Sequence, residues 1–291
     1  MTKKCLGCGA ILQSNNPNEK GYIIEEKLNN AKYCQRCFKI IHYNEKVATS
    51  LPGINEYIMK EINTKAEYVY FMVDILNINQ ETISTYHKIT KPKSLIISKL
   101  DIIPKSIKSQ KIKTWLSKVY NINDEILFQS SKKNLNNKSI LTNLENKNIH
   151  SCYIVGYTNS GKSSLINKLC EITDTKNQEL TTCLIPNTTI DFISLKITDN
   201  ITIIDSPGFT LTNPIYKDND FALIESINPR KVLAPLTYQV KETTYLNINN
   251  LLAINSNITN SLTLYISNTI PVNRTFNLKE PLKSKSILTL N

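Results

Sequence analysis

The octapeptide Gly156-Tyr157-Thr158-Asn159-Ser160-Gly161-Lys162-Ser163 has the residue types and spacing of a loop that holds an oxyanion. Gly156 and Gly161 let the backbone curl so that its amides converge on one point. Lys162 adds a positive charge, and Ser163 a hydroxyl suited to a divalent cation. The pattern carries this meaning only between a strand and a helix. Cys152-Tyr153-Ile154-Val155 reads as the strand, and Ser164-Leu165-Ile166-Asn167-Lys168-Leu169 reads as the helix, whose N-terminal dipole favours anions. The expected chemistry is that of nucleotide phosphates. Gly156, Asn159, Ser160, Gly161, Lys162, Ser163 and Ser164 would bind them. Lys162 would neutralise the β- and γ-phosphates from a solvent-exposed position, and Ser163 would ligate Mg²⁺.

Further residues extend this site. Asp205-Ser206-Pro207-Gly208 ends a strand-like run. Asp205 would hold Mg²⁺ through a water, and Gly208 would offer its amide to the γ-phosphate. In Thr188-Thr189, Thr189 is the favoured hydroxyl for a switch that closes on Mg²⁺ and γ-phosphate. Lys162, Thr189, Asp205 and Gly208 form the catalytic set. Phe209 stands where Ras-like enzymes carry a glutamine, so the attacking water must be positioned another way. Upstream, Ser98-Lys99-Leu100-Asp101 fits a base-reading loop of the (Asn/Thr)-Lys-x-Asp kind. Asp101 would accept two hydrogen bonds from the guanine edge, and Lys99 would lie across the base and the phosphate loop. Ser98 is too short to do all that asparagine does there. Ser130-Ser131-Lys132 follows at another strand end. The ligand expected is GTP or GDP. The base-reading loop precedes the phosphate loop, the reverse of the usual order, so the domain would be circularly permuted. The 132–150 stretch would be the new join.

A second chemistry lies near the start. Cys5-Leu6-Gly7-Cys8 and Cys34-Gln35-Arg36-Cys37 are two CxxC pairs. Four thiolates converging on one ion make a closed tetrahedral zinc site, with ligands Cys5, Cys8, Cys34 and Cys37. His42 is a spare candidate. A segment with so little core would draw much of its folding energy from the metal. The seven cysteines are odd in number and four sit in metal-type pairs, which argues for a reducing, cytoplasmic setting rather than disulfides.

The elements that must position these groups alternate in type. Tyr68-Val69-Tyr70-Phe71-Met72-Val73-Asp74 reads as a strand buried on both faces. Ser94-Leu95-Ile96-Ile97 and Glu125-Ile126-Leu127-Phe128-Gln129 read as further strands, and 109–120 as a helix. Thr198-Asp199-Asn200 reads as a hairpin turn. With 291 residues the chain divides into a zinc-binding module over 1–45, an α/β P-loop domain over 46–223, and a small C-terminal part over 224–291. That last part reads as a small β-rich domain, contacting RNA or protein, or as a partly ordered tail. The net charge of +11 comes from 35 basic against 24 acidic residues, mostly lysine. Lysine-favouring codons or a polyanionic partner such as RNA would each explain it. There is no secretory signal and no run long enough to span a membrane.

The chain resembles the YqeH-type family of circularly permuted GTPases, bacterial ribosome-assembly factors with mitochondrial and plastid relatives. The likeness rests on both CxxC pairs with their flanks, His42-Tyr43-Asn44-Glu45, Lys99-Leu100-Asp101-Ile102-Ile103-Pro104-Lys105-Ser106, the phosphate loop, Thr188-Thr189 and Asp205-Ser206-Pro207-Gly208. It extends to Pro229-Arg230-Lys231, Leu236-Thr237-Tyr238-Gln239 and Tyr265-Ile266-Ser267-Asn268. The resemblance implies GTP hydrolysis, a zinc module, and a role in maturing the small ribosomal subunit. The expected partners are ribosomal RNA and small-subunit ribosomal particles, with the chain expected to be a monomer. Asn159 matches the asparagine that, in related GTPases, helps hold a potassium ion. Asn187 departs from the family's usual glycine, and the C-terminal part lacks the family's glycines. The rival reading is a non-hydrolysing RNA-binding module that uses nucleotide as a structural ligand.

Overall fold

The computed structural model describes residues 3, 5, 10–17, 19, 21–28, 30–35, 37, 53–175, 192–211, 226–229, 231–242, 244–276 and 286–290, the last as backbone only. Two compact units emerge. The first combines Met1–Leu100 with Ile107–Leu211, and the second combines Asp101–Ser106 with Thr212–Asn291.

The described residues of the first unit begin with the cysteine-bearing segment, which carries a short helix, α1 (Glu25–Leu28). Cys5, Cys34 and Cys37 are buried together with Ala10 and Leu12, and Leu28, Ala31 and Tyr33 pack against them. This core is small, as expected of a module held largely by its cysteines. Helix α2 (Ile54–Lys65) follows and buries Ile58 and Ile62, one turn apart on one face.

A six-stranded sheet forms the body of the unit. In chain order its elements are β1 (Tyr68–Asp74), α3 (Gln80–His87), β2 (Lys93–Ser98), α4 (Ser109–Tyr120), β3 (Ile126–Phe128), α5 (Asn137–Asn146), β4 (Ser151–Gly156), α6 (Lys162–Ile172), β5 (Ile193–Lys196) and β6 (Thr202–Asp205). The strand order is β3-β2-β1-β4-β6-β5. All pairs are parallel except β5 with β6. Every residue of β1 is buried, as its unbroken apolar run predicts for a central parallel strand. Helix α3 starts at a capping box in which Asn79 and Thr82 bond each other's backbone amides. Helix α5 buries Ile140, Leu141 and Leu144, so the asparagine- and lysine-rich join is a docked helix.

The topology dictates where a ligand belongs. From β1 the chain builds outward through β2 to β3, then returns across the sheet to lay β4 on the other side of β1. Strand order reverses between β1 and β4, and in open α/β sheets such a switch point opens a crevice at the carboxyl ends of the strands.

The second unit is β-rich. Strands β8 (Tyr245–Ile248), β9 (Leu252–Ser256), β11 (Val272–Thr275) and β12 (Ser286–Leu290) form a sheet in the order β11-β8-β9-β12. Strands β7 (Leu236–Val240) and β10 (Asn260–Leu264) pair antiparallel. Val240, Leu246, Ile248, Ile254, Leu264 and Ile270 make its core. The structure thus realises the β-rich reading of the C-terminal part. No helix among the described residues is long and apolar enough to cross a membrane.

Candidate functional site

The phosphate loop lies at the switch point, between the end of β4 and the start of α6. Gly156 is required by its surroundings: a Cβ there would fall 2.1 Å from the Met72 carbonyl of β1. The last turn of β4 can therefore press against β1 only without a side chain. Asn159 takes a left-handed conformation, at φ 62°, in the bend of the loop. Gly161 is the N-cap of α6 and leaves the helix start without a side-chain cap. That arrangement keeps the first-turn amides for a ligand. Ser164 is exposed in the first turn of α6.

Lys162 departs from the expected exposure. It is buried, and its Nζ donates to the Gly156 carbonyl at 3.1 Å and the Tyr157 carbonyl at 3.2 Å. The short loop folds around its own lysine, so a residue chosen by motif for a solvent-facing task begins inside the protein. Burial pushes the Lys162 ammonium down to about 8, against an opposing pull from Asp205. A phosphate oxyanion would restore the favourable charge environment that burial removes. Ser160 Oγ points the same way: it is buried and makes no hydrogen bond, and its O–H is a donor that a bound oxyanion would accept from.

The two residues expected at Mg²⁺ meet. Ser163 Oγ lies 3.5 Å from Asp205 Oδ2, and Asp205 is fully buried at the end of β6. Parallel pairing of β4 with β6, Ile154 opposite Asp205, brings them together. A hydroxyl beside a carboxylate is an oxygen donor pair that suits Mg²⁺. Gly208 then lies against the loop, where a Cβ would fall 2.7 Å from Thr158 Cγ2 and 3.0 Å from the Thr158 amide nitrogen. Phe209 is buried, stacked near Phe71 and Tyr157, and bridged to the loop: its amide donates to the Gly156 carbonyl and its carbonyl accepts from the Thr158 amide. It is a core residue, which accounts for the absence of a polar group there. Thr188 and Thr189 lie outside the described residues.

The base-reading loop behaves differently from its expectation. The Ser98 hydroxyl is buried and bonds backbone carbonyls, Ser160 at 2.6 Å and Val73 at 3.2 Å. It fastens β2 to the phosphate loop rather than reaching toward a base. Lys99 adopts φ 58° and pairs with Asp74 Oδ2 at 2.5 Å. Asp74 was not among the expected site residues. An acid closing an otherwise apolar, doubly buried strand was the available signal. The Asp74 carboxylate also accepts from the Leu76 amide, so it is fixed before it fixes Lys99. Asp101 follows in the short turn Leu100–Ile102, in the stretch that groups with the second unit.

At the end of β3, Ser130 is consumed by structure. It exchanges backbone hydrogen bonds with Leu135, and its hydroxyl accepts from the Lys133 amide. Ser131 bonds the Gln129 side chain, Lys132 is exposed, and the Gln129 carbonyl accepts from the Leu100 amide. The end of β3 therefore braces the loop that carries Lys99.

In the cysteine module the Sγ atoms of Cys5, Cys34 and Cys37 all lie within 4.8 Å of one another. The Cys34 amide donates to Cys5 Sγ at 3.1 Å, a bond that favours a thiolate. Thiolates around zinc, at Zn–S about 2.3 Å, come this close. The donor set fits a zinc ion. Cys8 and His42 lie outside the described residues.

Residues 151–267 match the family described as "50S ribosome-binding GTPase". That match begins at β4 and omits Ser98 to Asp101, which precede it in this chain. The chain is 27% identical over 247 residues to the uncharacterized protein YqeH of Bacillus subtilis (strain 168), covering 82% of this chain and 68% of that protein. It is 24% identical over 221 residues to nitric oxide-associated protein 1 of Mus musculus, covering 57% of this chain and 32% of that one. Among solved structures, YjeQ from Thermotoga maritima is 20% identical with a TM-score of 0.36, covering 50% of this chain and 49% of that chain.

Proposed function

We propose that this chain, a circularly permuted P-loop GTPase homologous to YqeH, cycles between GTP and GDP with Mg²⁺ and acts on ribosomal particles in the cytoplasm. The observation that carries the reading is the meeting of Ser163 and Asp205 beside a buried Lys162 at the β1–β4 switch point. A structural loop has no use for a buried cation, an uncapped helix start and an oxygen donor pair in one place.

Each residue has a task. Lys162 and the loop amides bind and neutralise the phosphates. Ser163 and Asp205 would hold Mg²⁺, whose bound charge would lower the cost of charge building on the phosphate oxygens. Thr189 and Gly208 would close on the γ-phosphate. Lys99, fixed by Asp74, would flank the base while Asp101 accepts its donor pair, with Ser130 to Lys132 at the rim. Phe209 excludes water from the core and orients none, so hydrolysis by the isolated chain would be slow. Asn159 would help to hold potassium. The 1–45 segment would hold one zinc through Cys5, Cys8, Cys34 and Cys37. The 224–291 segment would contact RNA or protein.

The resemblance names the small subunit, whereas the matching family's description names the 50S particle. Titration with GTP, GDP and ATP tests the nucleotide half: guanine nucleotides should bind and ATP should bind far more weakly. Multiple-turnover hydrolysis in potassium and in sodium, with each isolated ribosomal subunit added in turn, tests the rest. Binding of ATP equal to that of GTP would defeat the reading. Nucleotide binding without turnover under any condition would favour the non-hydrolysing RNA-binding alternative.

A further inference from the structure

Asparagine is a poor helix former and a good helix cap. In α2 it does neither job. The N-cap is Gly53, in a left-handed conformation with no side-chain cap, and Asn55 stands inside the first turn. Its side chain is used elsewhere. Asn55 Nδ2 donates to the Thr210 carbonyl at 2.9 Å, and Asn55 Oδ1 accepts from the Thr210 amide at 2.9 Å and from Thr210 Oγ1 at 3.3 Å. The partners are 155 residues apart in sequence. One carboxamide thus meets both backbone polar groups of one residue, as a neighbouring strand would.

The residue it grips is two beyond Gly208. In extended chain, successive residues direct their amide and carbonyl to opposite sides. Phe209 uses its pair on the phosphate loop, at Gly156 and Thr158. Thr210 uses its pair on Asn55. The segment after Asp205 is therefore held from both sides, with Gly208 pressed over Thr158. Among the described residues, Asn55 is the side chain of a separate helix that hydrogen-bonds this segment.

We infer that Asn55 is a positioning residue that holds Gly208 in place for the γ-phosphate, and so sets the preference for GTP over GDP. The inference rests on the nucleotide reading above. Asn55 touches neither phosphate nor base; it acts through Thr210. A carboxamide is needed because the site asks for one donor and one acceptor together. Aspartate would keep the acceptor but set a carboxylate against the Thr210 carbonyl.

The test compares wild type with Asn55→Ala and Asn55→Asp, using full-length protein, GDP, and a non-hydrolysable GTP analogue. Both variants should bind GDP within twofold of wild type and bind the analogue on the order of tenfold more weakly, the worth of a lost pair of partly buried hydrogen bonds. The turnover number should fall as well, and KM for GTP should rise in step with the weaker analogue binding, because slow turnover makes KM follow the dissociation constant. A role confined to stability would lower the melting temperature and leave the GTP-to-GDP affinity ratio alone; that result overturns the inference. If Asn55→Ala does not fold, the near-isosteric Asn55→Asp carries the same measurement. Wild type that binds no guanine nucleotide would overturn the functional reading itself, and with it this inference. Wild type that discriminates GTP from GDP, with variants that discriminate equally well, would overturn the inference alone.

Discussion

The two ends of the parallel sheet bury polar groups in opposite ways. At the amino ends, Lys147, Glu125, Tyr68 and Ser94 close a dense network, with Lys147 Nζ donating to Glu125 Oε2 at 2.7 Å and to Tyr68 OH at 2.7 Å. Ser94 Oγ donates to Glu125 Oε2, and Asn143 of α5 donates to Glu125 Oε1 and accepts from Tyr70 OH at 2.6 Å. At the carboxyl ends, Lys162 is turned onto its own loop carbonyls, and Ser160 Oγ is buried with no hydrogen bond. Both ends cost desolvation. One recovers it within the fold, so it fastens the permutation join. The other is completed only by an anion. Satisfied polar groups argue for stability, and unsatisfied ones argue for a ligand.

Replacing Lys162 should expose that difference most strongly. Lys162→Met should weaken GDP binding on the order of a hundredfold, since charge-assisted bonds to phosphate are lost. Stability should change by no more than about 1 kcal/mol, because two loop carbonyls lose a donor while a buried cation is removed. Equal GDP affinity in variant and wild type, measured by calorimetric titration, would remove the phosphate loop from its assigned role.

The same lysine gives a pH signature of known sign. Its folded value, about 8, lies below the unfolded value near 10.4. Between the two, the unfolded chain binds more protons, so this group's contribution to stability rises with pH from about 8 to about 10.4. Nucleotide affinity should move the other way. It should fall by up to about tenfold per unit as pH rises through 8, because phosphate needs the charged form. Affinity that is flat from pH 7 to 9.5 would break the link between burial and binding. Lys162→Met should show no such dependence.

A smaller effect separates base reading from loop fastening. Ser98→Ala removes the bond to the Ser160 carbonyl and should weaken nucleotide binding about fivefold, for GDP and GTP alike. Ser98→Asn, which restores the commoner residue of the motif, should not tighten GDP binding. The site is fully enclosed, and a larger amide would overpack it. Several-fold tighter GDP binding by Ser98→Asn would show instead that this position reads the base.

These cases mark what the sequence could and could not disclose. The unbroken apolar run of β1, the G-x-x-x-x-G-K-S pattern and the hairpin at Thr198 to Asn200 are local signals, and each element stands where its pattern placed it. Parallel pairing then joined Ser163 to Asp205, as the motif pair implied. Four features were not legible: the burial of Lys162, the Asp74–Lys99 pair, the fastening by Ser98 and the grip of Asn55 on Thr210. Most of these join residues far apart in sequence, so they are set by strand order rather than by local pattern. Lys162 is local, but its burial follows from the path of the loop between β4 and α6, which motif residues permit without specifying. An asparagine inside the first turn of a helix is a weak signal until its distant partner is known.

The amino-end network supplies the control for all of these. Lys147→Met should lower stability by about 1 kcal/mol and leave GDP affinity within twofold. The side chains of Lys147 and Glu125 are 35% and 38% exposed, so solvent screening keeps the pair's worth well below that of a buried ion pair. Burial raises the Glu125 carboxyl, but the bonds from Lys147, Ser94 and Asn143 outweigh it and hold the group below its usual range. A carboxylate depressed in the folded state contributes stability above its unfolded value, near 4.3, and loses it as pH falls through the folded value. Wild type should therefore lose stability in acid, below about pH 4.3, more steeply than Lys147→Met, in urea unfolding followed from pH 3 to 7. Superimposable acid limbs would mean that Glu125 owes its depression to Ser94 and Asn143 instead. A loss of GDP affinity in Lys147→Met comparable to that of Lys162→Met would mean that the two ends of the sheet are coupled, and the division between fastening and binding would fail.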